Sequence, residues 1–148
     1  MILPLSLTFA AVCAILNIWL SSRVGRVRMS EKILHGDGGS PLVLKRMRAH
    51  ANFTEYAPFV LILFALVELA FGPQLWLWGI VILYTLGRLA HAFGMEGDIP
   101  TKARMAGIAI NHIVLLVLAG AALYAAYGMA KPAQTTAVTL APLPSQNR

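Results

Sequence analysis

The chain has 148 residues, 58% of them hydrophobic and 12% charged, with a mean hydropathy of +0.70. A soluble domain carries roughly 25% charged residues, about twice this share, so a helical membrane protein comes first. The net charge of +6 does not point to nucleic acid, because the basic residues flank apolar runs, where a membrane origin accounts for them.

The apolar residues fall into four blocks, each near the roughly 20 residues needed to cross a hydrocarbon core. The expected fold is therefore all-α, an integral membrane four-helix bundle forming one domain over residues 1–130. The first span is expected at about 3–22, with Trp19 near its end as an interfacial aromatic. Its charges follow the apolar block, and no positive region precedes it. It is therefore expected to be a retained helix and not a cleaved signal. Cys13, the single cysteine, lies inside it and reads as a small hydrophobe.

A basic connector follows, with Arg23, Arg26, Arg28 and Lys32, and is broken by Gly36-Asp37-Gly38-Gly39. Ser40 and Pro41 suit the cap and first position of the next helix, expected at 42–71. Pro58 lies inside it and leaves the Thr54 carbonyl without its helical partner, which predicts a mild kink. After Gly72-Pro73 the third helix is expected at 74–95, entered through Trp76 and Trp78. Gly97-Asp98-Ile99-Pro100 separates it from the fourth, at 101–130, whose far end carries Tyr124 and Tyr127. The tail, 131–148, is rich in Pro, Thr, Ala and Ser and is expected to be disordered.

Seven basic residues lie between Arg23 and Arg48, and Lys102 and Arg104 open the fourth helix, while the turn at Gly72-Pro73 has no charge. By the positive-inside rule the two basic connectors face the cytoplasm and both termini lie outside. Short loops and no targeting peptide fit a bacterial inner membrane. All intramembrane charges except Glu68 then collect at the cytoplasmic end and form one candidate site. Glu68 reads as a structural or interfacial acid near the opposite face.

On the second helix Arg48, Asn52 and Glu55 stand at i, i+4 and i+7 and share one stripe about 10 Å long. Arginine offers a fork for a carboxylate, asparagine a donor and an acceptor, and glutamate an anchor for an ammonium, so the set suits a zwitterionic peptide. The alternative is a snorkelling arginine with Glu55 paired to a neighbouring helix. On the third helix Arg88, His91 and Met95 share a face. Arg88 either pairs with Glu55 or holds a ligand carboxylate, and His91 is either a packing residue or part of the site. Arg104, near the start of the fourth helix, is placed to favour an anion or thiolate, or snorkels. None of His35, His50, His91 and His112 forms a zinc-type pair, so no metal site is expected.

The stretch Arg48-Ala-His-Ala-Asn52-Phe-Thr-Glu55-Tyr56-Ala-Pro58 resembles the second-helix signature of the MAPEG family, the membrane-associated proteins in eicosanoid and glutathione metabolism. Gly87-Arg88-Leu-Ala-His91-Ala-Phe resembles the third-helix motif of its prostaglandin E synthase branch, and Gly25-Arg-Val-Arg28 the basic end of its first helix. The likeness covers roughly residues 1–130 and is nearest to the small, largely uncharacterised bacterial branch. It implies a homotrimer with glutathione as co-substrate, bound between subunits near the cytoplasmic face. By motif, Arg28, Arg48, Asn52, Glu55, Arg88 and His91 would bind glutathione, and Arg104 would stabilise its thiolate. A lipophilic small molecule would arrive from the bilayer lipid. Where characterised members carry a tyrosine one turn beyond His91, this chain has Met95. The implied activity is a glutathione transferase or peroxidase. The alternative is a non-enzymatic protein that binds lipid or glutathione.

Overall fold

The computed structural model describes residues 2–128, and the tail expected at 131–148 lies outside them. Four α-helices follow one another: α1 (Pro4–Ser30), α2 (Pro41–Phe71), α3 (Leu75–Gly94) and α4 (Lys102–Leu123), the last continued by one π-helical turn at Tyr124–Gly128. All four, α4 together with its π-helical turn, are long and apolar enough to cross a membrane, and no strand occurs among the described residues.

The helix boundaries follow local chemistry. Ser40 caps α2, its hydroxyl accepting from the Val43 N–H at 3.4 Å, with Pro41 at the first helical position. Gly72 ends α2 at φ 74°, a left-handed conformation that glycine adopts without strain. Thr101 caps α4, accepting from the Arg104 N–H at 3.1 Å, and donates its hydroxyl proton to the Gly94 carbonyl at 3.0 Å. One side chain thus fixes the α3–α4 turn from both sides.

Two boundaries differ from those expected. The connector after Ser22 is helical, and α1 runs eight residues further, to Ser30. No proline or glycine pair interrupts Arg23–Ser30, and Arg23, Val24 and Val27 are buried against the bundle, so packing extends the helix. The break falls at Lys32 (φ 56°) and the glycines Gly36, Gly38 and Gly39, all at positive φ. At the other end the α-helix stops at Leu123, and 129–130 lie outside the described residues. Through Pro58, α2 continues without interruption.

The α1 N-terminus has no side-chain cap of its own. Glu68 supplies one from α2: its carboxylate accepts from the Leu5 N–H at 3.0 Å, the Ser6 N–H at 2.6 Å and the Ser6 hydroxyl at 2.5 Å. These are donors that a helix start otherwise leaves open. Below this cap Phe9 packs on Phe64 and edge-on against Tyr84, with centroids 4.9 and 5.3 Å away. Lipid tails are as apolar as leucine, so close packing and not water exclusion holds such helices together. The tightest seam is between α3 and α4. A Cβ added at Gly107 would lie 2.5 Å from the Gly87 carbonyl oxygen and 2.6 Å from the His91 Cβ. Gly107 thus packs inside the chain, whereas Gly120 has open space around it.

Candidate functional site

The α3–α4 seam places polar side chains at the basic end of the bundle. Arg88 is 2% exposed, and its Nη1 donates to the Asn52 Oδ1 at 3.0 Å. Its guanidinium also lies 5.4 Å from the Phe53 ring centroid. Of the alternatives for Arg88, the ion pair with Glu55 is not formed; the partner on α2 is the neutral Asn52. His91, one turn further along α3, is buried against Gly107. Arg104 enters the same region because its backbone packs on Gly94, within one turn of His91.

Among the described residues, several buried polar atoms in this part of the bundle have no partner: Tyr84 Oη, Arg88 Nε, His91 Nδ1 and Asn111 Oδ1. Tyr84, Arg88 and His91 recur at i, i+4 and i+7 on α3, and Asn111 is buried on α4 one turn beyond Gly107, which packs on Gly87 and His91. Buried donors and acceptors are almost always satisfied, and exceptions concentrate where a water or ligand belongs. Asn111 is absent from the sequence-based site. Its signal was available: it is a polar residue in an apolar run, seven residues after Arg104 and hence on the same face.

Arg48 and Glu55 are exposed on α2 and make neither a side-chain hydrogen bond nor an ion pair among the described residues. Asn52, between them on the stripe, is half-buried, as are Arg104 and Met95. Arg28 stands apart. Its Nη2 donates to the Gly36 carbonyl at 2.8 Å and approaches the Met47 sulfur at 3.3 Å. It lines a groove of about 440 Å³ between α1 and α2, with His50 and Thr54 among the walls. At 3.6 residues per turn, the Met47/Thr54 edge of α2 lies roughly 120° around the helix from the Arg48/Asn52/Glu55 stripe. One chain therefore gathers Asn52, Arg88, His91 and Arg104, leaves Arg48 and Glu55 at its surface, and holds Arg28 on a different side.

A second polar cluster closes the basic end. Glu96, just beyond α3, accepts on Oε1 from Arg23 Nη2 at 2.5 Å and from Arg46 Nε at 2.6 Å. Burial pushes the Glu96 carboxyl up, but the hydrogen bonds from Arg46 and Arg23 outweigh it and hold the group below its ordinary value of 4.5. Lys45 pairs with Asp98 at 2.6 Å, and that hydrogen bond holds Asp98 below its usual range as well.

The sequence profile of the MAPEG family matches residues 6–124. The chain belongs to the MAPEG family. It is also similar to the inner membrane protein YecN of Escherichia coli K12, with 31% identity over 116 residues, covering 76% of this chain and 86% of that protein. YecN of Escherichia coli O6:H1 (strain CFT073) matches to the same extent. This MAPEG protein is thus a multi-pass membrane protein, with four apolar helices and a relative named for the inner membrane. The matched region contains every candidate site residue, from Arg28 to Arg104, together with Asn111.

Proposed function

We propose that this MAPEG protein is a membrane-bound glutathione-dependent transferase or peroxidase acting on a lipophilic electrophile. The observation that carries the reading is the buried polar set at α3 and α4: Arg88, bonded to Asn52, together with His91 and Asn111, keeps buried polar atoms that have no partner among the described residues. Arg48 and Glu55 extend the same α2 stripe, exposed and without a side-chain partner among the described residues. A tripeptide with two carboxylates, one ammonium and several amides matches this mixture of donors and acceptors. Membership of a family that uses glutathione adds weight.

In this reading Arg48 and Arg88 bind carboxylate groups, Glu55 the ammonium, and Asn52 and His91 the peptide groups. Arg104 lies beside the sulfur. A guanidinium there favours the charged form and lowers the thiol pKa, so more thiolate is present at neutral pH. In transfer, the thiolate forms a C–S bond as the electrophile's leaving group or π electrons depart. In peroxidase chemistry it attacks a hydroperoxide oxygen, the O–O bond breaks and an alcohol leaves. A second glutathione thiol then gives the disulfide and water.

Arg28 enters the site only from another copy, because in its own chain it faces the α1–α2 groove. This requirement supports sites between subunits, in the homotrimer that the family resemblance implies. The basic connectors argue for a site facing the cytoplasm and termini on the opposite side. Met95, where characterised family members carry a tyrosine, favours a second reading: a protein that binds glutathione or lipid without turnover. Calorimetry with glutathione, followed by conjugation of a generic aryl halide, separates the two. Binding with turnover supports the enzyme, and binding without turnover supports the second reading. Absence of binding rejects the glutathione site.

A further inference from the structure

At the junction of α1 and α3, on the side of the bundle away from the α1–α2 groove, lies a pocket of about 340 Å³ lined by Trp19, Arg23, Arg26, Arg46, Phe93 and Glu96. Three guanidinium groups face one carboxylate there, so two positive charges are left unneutralised. Arg23 is the fixed element. It is 5% exposed, bonded to Glu96, and lies 4.7 Å from the Trp19 ring and 4.8 Å from the Phe93 ring. Arg46 is oriented by Glu96 and by the Arg23 carbonyl, to which its Nη1 donates at 3.0 Å. Arg26 is exposed, and its one hydrogen bond is a long contact of 3.4 Å from Nε to the Ser22 carbonyl. Its two terminal nitrogens make no hydrogen bond among the described residues.

The vertical order of these groups is informative. Trp19 lies one turn deeper than Arg23 on α1, and Phe93 of α3 lies three residues before Glu96, deeper than that residue just beyond the helix. Beneath them Ile15, Leu86 and Ile82 are exposed on the same sides of the two helices. From the basic end inward the surface therefore reads guanidinium, aromatic, aliphatic. A phospholipid reads phosphate, glycerol ester, acyl chain over the same depth. Basic pockets between helices at a membrane surface hold anionic headgroups, and arginine forks fit phosphate oxygens in pairs.

We propose that this α1–α3 pocket binds the phosphate of an anionic phospholipid, with Arg26 and Arg46 as its ligands and the Trp19–Phe93 pair as the wall for the upper acyl chain. Glu96 bridges the two inner arginines through one oxygen, and its single charge does not cancel the site. The pocket is separate from the Asn52–Arg88 seam and does not depend on the glutathione reading.

The test uses full-length protein in bilayer discs of phosphatidylcholine, alone or mixed with phosphatidylglycerol. Bound lipid is counted by native mass spectrometry after release into mild detergent, and thermal stability is read in parallel. Phosphatidylglycerol is expected to be retained in preference to phosphatidylcholine and to raise the melting temperature. Arg26→Gln removes no internal contact beyond one weak bond and is expected to weaken that retention about fivefold. Lys32→Gln removes the same charge from the same end but outside the pocket, and is expected to leave retention unchanged. Equal retention of the two lipids overturns the proposal. Equal losses in the Arg26 and Lys32 variants also overturn it, since they mean diffuse surface attraction. Inorganic phosphate at millimolar concentration is expected to give no stabilisation; if it matches the lipid, the site takes free phosphate and the lipid assignment is wrong.

Discussion

At the scale of single residues, polar side chains in this protein divide into those tied inside the chain and those left open. Arg88 and Asn52 are tied, so Asn52→Ala strands a buried guanidinium nitrogen and is expected to destabilise by about 1–3 kcal/mol, measured as a lower denaturation midpoint. Arg48 and Glu55 are open. Their alanine variants should keep the wild-type stability to within about 0.5 kcal/mol, yet lose glutathione affinity by about 10- to 100-fold in calorimetry. A stability loss matching the binding loss would mean that they are structural. Arg104→Ala should lower kcat about 100-fold while changing glutathione affinity by less than about threefold. The Glu96 carboxylate sets an acid limit. Its folded pKa lies below its ordinary value of 4.5, so its contribution is fully present above that value and is lost as pH falls through the folded pKa. Melting temperature followed from neutral pH downward should hold level to about pH 4.5 and then drop, with a shallower drop in Glu96→Gln.

At the scale of elements, the helices are joined by side chains that reach across the bundle. Glu68 closes the first turn of α1 from a position sixty-two residues later in the chain. Glu68→Ala leaves the Leu5 and Ser6 N–H groups without their acceptor and is expected to destabilise by about 1–3 kcal/mol. Hydrogen exchange should then show fraying confined to the first turns of α1. The α3–α4 pair depends instead on the absence of side chains. Gly107→Val would drive a side chain into the Gly87 carbonyl and His91, so it should destabilise by at least about 1–3 kcal/mol and displace His91. Glutathione binding and folded yield should fall together in that variant, unlike in Arg48→Ala.

At the scale of the whole molecule, the separation of Arg28 from the Arg48 stripe bears on assembly. If sites form between copies, co-expressing Arg28→Ala and Arg48→Ala chains in equal amounts should restore about a quarter of the glutathione sites, although each variant alone binds poorly. No restoration would place Arg28 outside the site. Much of this protein is local and so legible in the sequence. Span lengths, the Ser40-Pro41 start, the Gly72 stop, the crowding of basic residues at one end and the shared face of Arg48, Asn52 and Glu55 all follow from composition and helical period. The end of α1 was misplaced because burial of Arg23, Val24 and Val27, and not their intrinsic preference, carries the helix through the basic stretch. Asn111 was legible by spacing, but one polar residue in an apolar run does not reveal what it faces. Only the tertiary structure decided that Arg88 meets Asn52 and not Glu55, that Arg23 is clamped between Trp19, Phe93 and Glu96, and that Glu68 caps α1. The physical reason is common to all three. A side chain's partner depends on how each helix is rotated about its axis, and that rotation is set by close approach at positions such as Gly87 and Gly107, which are distant in sequence.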